Sequence, residues 1–201
     1  MTQTKPASFV ESYPVRPPDG RDDGTGSCRK GESAVEVKGS YTYDATIDAV
    51  VAMLRDNDAT VAMYESMQHR DVQVLESAGD DSSLRIRTSQ VVEANVPGFA
   101  KKVIKPANTT IQTDEWRRAD DGSWQGSFET EVKGAPLRLS GTMRLVPVGE
   151  GCTHEVAITV EVKVPLIGGR IADWAGKNEV RKSIDDQFAF NARWLAEHAA
   201  T

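Results

Sequence analysis

Along the first third of the chain, Val35, Val37, Tyr41 and Tyr43 alternate with Glu36, Lys38, Ser40 and Thr42. A two-residue period of this kind predicts a β-strand with one dry face. Thr46 reads as an N-cap for a helix over Ile47 to Leu54, and Asp58 as a cap for a second over Thr60 to Gln68, with "RDND" dividing them. The strand period returns at Val72 and Val74, then at Leu84, Ile86 and Val92, and the turn-prone "AGDDSS" between them predicts a hairpin. "EANVPGFAKKVIKPANT" carries two prolines and reads as a connection with a helical turn around Phe99 to Ile104. Four more strands are predicted. The first runs from Thr109 to Arg118. The others present Trp124, Gly126, Phe128 and Val132, then Leu137, Leu139, Met143 and Leu145, then Val156, Ile158, Val160, Val162 and Val164 to one side.

Successive one-sided strands joined by turns describe an antiparallel sheet whose dry face needs a cover. The segment left to supply it follows "VPLIGG". Pro165 cannot extend the hydrogen-bond ladder, and Gly168 and Gly169 are placed for a sharp turn and a close approach to the sheet. Beyond them Ile167, Ile171 and Trp174 share one helical stripe, while Val180, Ile184, Phe188 and Leu195 share another about a quarter turn away. One helix of about 30 residues, roughly 45 Å long, with a break near Gly176 and Asn178, accounts for both. The fold class is therefore α+β.

Composition narrows the function classes. A net charge of −6 argues against a nucleic-acid partner, which asks for a basic face. No apolar run is long enough to span a bilayer, and residues 1–30 lack the apolar core of a secretion signal, so the expected location is cytoplasmic. Cys28 and Cys152 stand far apart with no CxxC spacing, which predicts neither a disulfide nor a metal framework. Residues 1–33 are rich in Pro, Gly, Asp, Arg and Ser and read as a disordered leader before a domain over 34–198.

"VPGFAKKVIKPANTTIQTDEW", "VEVKVPLIGGRIADWAG" and "FNARWL", set in this order of elements, resemble the START-like superfamily. That superfamily includes the birch-pollen-allergen-like proteins, polyketide cyclases and lipid-transfer domains; within it the likeness is to an actinobacterial group of unassigned function. The resemblance covers about Val35 to Ala196. It implies a helix-grip fold, a curved antiparallel sheet wrapped around the C-terminal helix, with a cavity between them for a lipid, sterol, polyketide or other hydrophobic small molecule.

Leu84, Ile86, Phe128, Leu139, Val160, Trp174, Ile184 and Phe188 are expected to line or back that cavity. Thr88, Gln90 and Thr130 are polar at inward positions, where neighbours or a ligand must satisfy them. Arg181 and Asp185, four residues apart, are placed to pair with each other at the rim or to meet a ligand head group. Phe99, Val103 and Ile104, mixed with Lys101, Lys102 and Lys105, read as a lid or as a plain amphipathic connection, with at most transient membrane contact. His69, His154 and His198 have no ligand-spaced partner and read as surface histidines. No GxSxG, P-loop, HExxH or Rossmann pattern is present, so no catalytic residue, metal or cofactor is assigned. Carriage of a hydrophobic ligand leads, beside a cyclase- or dehydratase-like enzyme using the same cavity and a regulatory domain whose cavity its own side chains fill. Oligomeric state is not legible.

Overall fold

A computed structural model describes residues 33–198; the leader expected over 1–33 lies, but for Ser33, outside the described residues. The elements are β1 (Ser33–Tyr43), α1 (Ile47–Arg55), α2 (Asn57–Ser66), β2 (Arg70–Asp80), β3 (Ser83–Glu93), β4 (Ala107–Arg118), β5 (Trp124–Val132), β6 (Leu137–Val148), β7 (Gly151–Val162), α3 (Gly168–Trp174), a π-helical turn (Ala175–Val180) and α4 (Arg181–His198). The strands form one antiparallel sheet in the order β1-β7-β6-β5-β4-β3-β2. Its curved inner face is gripped around the C-terminal helix, the α+β architecture that the alternation and the final amphipathic segment predict.

Thr46 caps α1 as expected, its hydroxyl accepting from the Ala49 amide at 3.2 Å. For α2 the cap is Asp56, not Asp58: Asp56 Oδ1 accepts from the amides of Asp58 and Ala59. One extended residue ends α1 and starts α2, so the helix begins three residues before Thr60. The β2–β3 hairpin turns at Asp81 and Ser82, tied by Asp80 Oδ1, which accepts from the Ser82 amide and from both serine hydroxyls.

Between β7 and α3 the left-handed backbone falls on Leu166, with φ of 69°, rather than on Gly168 or Gly169. A three-residue turn from the Ile167 amide to the Pro165 carbonyl reverses the chain there and leaves Leu166 wholly exposed. Gly168 serves the close approach instead, since a Cβ there would stand 2.9 Å from the Val162 carbonyl oxygen. The break near Gly176 is the π-helical turn. Its wider winding inserts about one extra residue, roughly 100° of rotation, which carries the apolar stripe from Ile171 to Val180, Ile184 and Phe188.

The helix lies on β1 and β7. A Cβ on Gly176 would meet Val35 and Val37 at 3.2 Å, and one on Gly39 would stand 2.5 Å from Ile184 Cγ2 and 3.3 Å from the Phe188 ring. Buried Asn191 ties the far end down by donating to the Tyr43 hydroxyl at 3.2 Å. We expect Gly39→Ala to lower stability by about 1–3 kcal/mol through overpacking, read as a fall in thermal midpoint by circular dichroism. Gly98→Ala, where a Cβ meets nothing within 4 Å, is the control and should leave the midpoint unchanged.

Candidate functional site

The antiparallel register sorts the inner face into rows of directly paired residues. One row runs Leu84, Trp116, Gly126, Met143, Val156, Gly39; the next runs Ile86, Asp114, Phe128, Gly141, Ile158, Val37. A third runs Thr88, Gln112, Thr130, Leu139, Val160, Val35, and beyond it Gln90, Thr110 and Val132 stand together. On β3 and β4 the first row is apolar, with Leu84 and Trp116, and the later rows turn polar, with Asp114, then Thr88 and Gln112, then Gln90 and Thr110. Glycines let rings lie flat on the sheet: Trp116 covers Gly126 and Phe128 covers Gly141.

Within these rows Gln112, Asp114, Leu139 and Ile158 are half-buried, although they face inward and are flanked by fully buried Ile86, Phe128 and Val160. That partial exposure is the surface that a molecule held between sheet and helix would cover. Phe99, Val103, Ile167 and Trp174 also keep partial exposure while packing against the same core. Two other depressions, of about 420 and 320 Å³, are open surface features at the α1 end of the sheet, the first bounded by Thr42 and Glu150, the second by Arg55 and Arg118. Neither includes a residue from the middle of the inner face, which is the better candidate site because apolar and polar groups come together there under the helix.

Those polar groups form a chain. The Thr130 hydroxyl donates to Gln112 Oε1 at 3.1 Å, and Gln112 Nε2 donates to Asp114 Oδ1 at 2.9 Å. Beside them Thr88 and Gln90 are each 3% exposed, and Thr88 Oγ1 and Gln90 Oε1 have no hydrogen-bond partner among the described residues. The Tyr64 hydroxyl of α2 approaches both without closing a well-formed hydrogen bond to either oxygen. Burial, and then the charge of Asp114, pushes that phenol well above its usual range. Asp114 has no basic neighbour among the described residues; burial raises its carboxyl to about 7, partly offset by the Gln112 hydrogen bond.

His154 is the second buried titratable group, 1% exposed and packed among the Tyr43, Trp116 and Phe188 rings, with both nitrogens unpartnered among the described residues. The surface reading of this histidine is therefore wrong. Burial lowers it to about 4 and keeps it neutral. Its inward position was available from the parity it shares with Val156, Ile158 and Val160, just as Asp114 and Gln112 share the parity of Trp116. The apolar criterion used to trace the face passed over all three.

Of the residues singled out in the sequence, Leu84, Ile86, Thr88, Gln90, Phe128, Thr130, Val160, Ile184 and Phe188 are buried on the inner face or under the helix, and Leu139 and Trp174 are half-buried there. Arg181 and Asp185 are not brought into the interior. They pair with each other at 3.4 Å, both side chains about half exposed, and Arg181 also donates to the outward Lys38 carbonyl at 3.0 Å. In the connection after β3, Ile104 is buried, Val103 is half-buried, and Phe99 packs beneath the Arg170 guanidinium at 4.1 Å. This joins the segment to α3.

Set beside known proteins, the chain matches over residues 38–195 the family described as "Protein of unknown function (DUF2505)", and it belongs to that family. The uncharacterized protein Rv0481c of Mycobacterium tuberculosis is 25% identical over 170 residues, which is 83% of this chain and 93% of that one. Among solved structures, TTHA0849 from Thermus thermophilus is similar at a TM-score of 0.59 and 17% identity, over 81% of this chain and 98% of that one. A STAR-related lipid transfer protein from Xanthomonas axonopodis gives 0.57 and 17%, over 83% and 94%. The Zhui aromatase/cyclase from a Streptomyces species gives 0.53 and 13%, over 83% and 96%. At these identities the likeness is one of fold, the helix grip.

The two buried groups bias stability in opposite directions. The folded Asp114 carboxyl, raised from 3.8 to about 7, holds its proton more tightly than the unfolded chain does. Its contribution is complete below about pH 4 and lost as pH rises through 7. His154, lowered from 6.5 to about 4, contributes stability that is complete above pH 6.5 and lost as pH falls toward 4. Asp114→Asn should therefore raise stability at pH 8, by at most about 4 kcal/mol, and change it little near pH 4. His154→Leu should flatten the decline between pH 6.5 and 4. Thermal midpoints measured from pH 4 to 8 check both.

Proposed function

We propose, for this member of the DUF2505 family, that the protein binds and carries a hydrophobic small molecule in the hollow between the sheet and the C-terminal helix. The observation that carries this reading is the partly accessible inner-face surface of Leu139 and Ile158 on a sheet covered by the C-terminal helix. Apolar area taken from water there is worth roughly 25 cal/mol per Å², so a ligand burying a few hundred Å² is held firmly while a few polar groups orient it. Phe128, Val160 and Trp174 form the surrounding wall. Phe99, Val103 and Ile104, anchored through Arg170, act as the lid at the α3 side. The similar folds titled lipid transfer protein and aromatase/cyclase support ligand carriage as the class of activity.

Asp114 favours one second reading. A carboxyl titrating at about 7 inside an apolar site can give or take a proton at neutral pH, the property a cyclase- or dehydratase-like enzyme needs from a general acid or base. On that reading Asp114→Asn retains ligand uptake and loses conversion of the ligand.

Native mass spectrometry of protein purified from its own host, followed by extraction and identification of bound small molecules, tests carriage directly. With a neutral apolar dye, N-phenyl-1-naphthylamine, fluorescence should rise and saturate with the wild-type protein. Leu139→Trp fills the hollow and should weaken dye binding by about tenfold or more while the circular dichroism spectrum is unchanged. Unchanged binding in Leu139→Trp places the dye elsewhere and removes this site.

A further inference from the structure

Three connections leave the same end of the sheet. One runs from Glu93 to Ala107, which the register pairs; one follows Val132; and one follows Val162, which pairs with Leu137. Backbone hydrogen bonds tie them side by side: the Lys133 amide donates to the Thr109 carbonyl at 2.8 Å, and the Lys163 amide to the Pro136 carbonyl at 2.9 Å. The Arg170 guanidinium, 4.1 Å from the centre of the Phe99 ring, joins the β3–β4 connection to the start of α3.

Charge is segregated there. Residues 94–106 carry Lys101, Lys102 and Lys105 and no acid, and residues 164–172 carry Arg170 and no acid, in a chain whose net charge is −6. All four cations are exposed, and none pairs with a carboxylate among the described residues. The acids that border the region are already matched, Glu93 by Arg70, Glu131 by Lys133 and Asp173 by Lys177, while Glu161 stands opposite Arg138.

Leu166 lies at the turn of the third connection, four residues before Arg170. Leu75 and Val148, the other exposed large hydrophobic residues among those described, are 48% and 51% exposed, whereas Leu166 has no cover at all. Its φ of 69° is a costly backbone for a bulky side chain, and a leucine held in water returns nothing to the fold. Unpaired cations alone would suit any polyanion. The fully projecting leucine beside them favours a lipid surface, because it enters the interface without needing a shaped pocket while the cations meet the phosphates of the head groups.

We propose that Leu166, Lys101, Lys102, Lys105 and Arg170 form a face that docks reversibly on an anionic lipid surface. No helix among the described residues is long and apolar enough to cross a membrane, and the docking is peripheral. Four cations and one leucine make it weak and salt-sensitive. Docking brings the β3–β4 connection, with half-buried Phe99 and Val103, to the bilayer. The face goes beyond the carriage reading and does not depend on it.

The test is co-sedimentation of the full-length protein with phosphatidylcholine vesicles and with vesicles that also contain about 30% phosphatidylglycerol. Wild type should bind the anionic vesicles about tenfold or more tightly than the neutral ones, and the preference should shrink as salt rises from about 0.05 to about 0.5 M. Leu166→Ser should weaken binding to the anionic vesicles about fivefold or more, whereas Leu75→Ser, on edge strand β2, should leave it unchanged. Lys101→Glu combined with Lys102→Glu should remove the preference. Circular dichroism checks the folding of each variant. Equal binding to both kinds of vesicle, wild-type binding in Leu166→Ser, an equal loss in Leu75→Ser, or a preference that survives the two lysine substitutions overturns the docking face. So does the absence of binding to anionic vesicles at low salt, the outcome expected if the cations serve an acidic protein instead; hydrophobic carriage is left standing in every case.

Discussion

A helix can rest directly on β1 where that strand presents no side chain, and Gly39 is such a place. Ile184 and Phe188 occupy the volume that a Cβ would take, and Gly176 repeats the device about two turns earlier against Val35 and Val37. These contacts hold the helix close to the β1–β7 edge of the sheet. The inner face toward β3 and β4 then carries Gln112 and Asp114, which the helix does not seal. The proposed binding site rests on this asymmetric docking rather than on any single lining residue.

The same asymmetry divides the interior chemically. Near β1 and β7 the space is filled by rings, with His154 kept neutral among Tyr43, Trp116 and Phe188. Toward β3 and β4 it is lined by hydroxyls, amides and Asp114. A neutralised base and an uncompensated acid inside one domain reduce stability at opposite ends of the pH range. An interior built for stability alone has no use for such groups, since apolar residues of similar volume serve as well or better. Their presence on the inner face accords with the proposed role in ligand binding.

Much of the fold was legible in the chain because its driving force is local and periodic. Alternation at Val35 to Tyr43 and at Val156 to Val164 specifies strands with one dry face, and the phase change between Trp174 and Val180 specifies the reset in the last helix. The expected caps and turns erred where two residues competed for one role. Asp56 took the capping position from Asp58, and the sharp turn expected at Gly168 and Gly169 fell on Leu166, at positive φ. The site was less legible. Thr88, Gln90 and Thr130 stood out as polar interruptions of apolar runs, whereas Asp114 and Gln112 lie in a strand so polar that no run was there to interrupt.

By itself, the sequence determined the α+β class, the order of the elements and the face each strand turns inward, since side-chain parity is a property of the extended backbone. Tertiary structure alone decided which inward residues are sealed and which border open space, because that depends on where the helix comes to rest. It also decided that Arg181 and Asp185 face water and that Asp114, inward by parity, is drawn away from it. A charge pattern along one chain does not say which strands will stand beside it, and the pairing of β4 with β3 and β5 is what draws Asp114 away from bulk solvent.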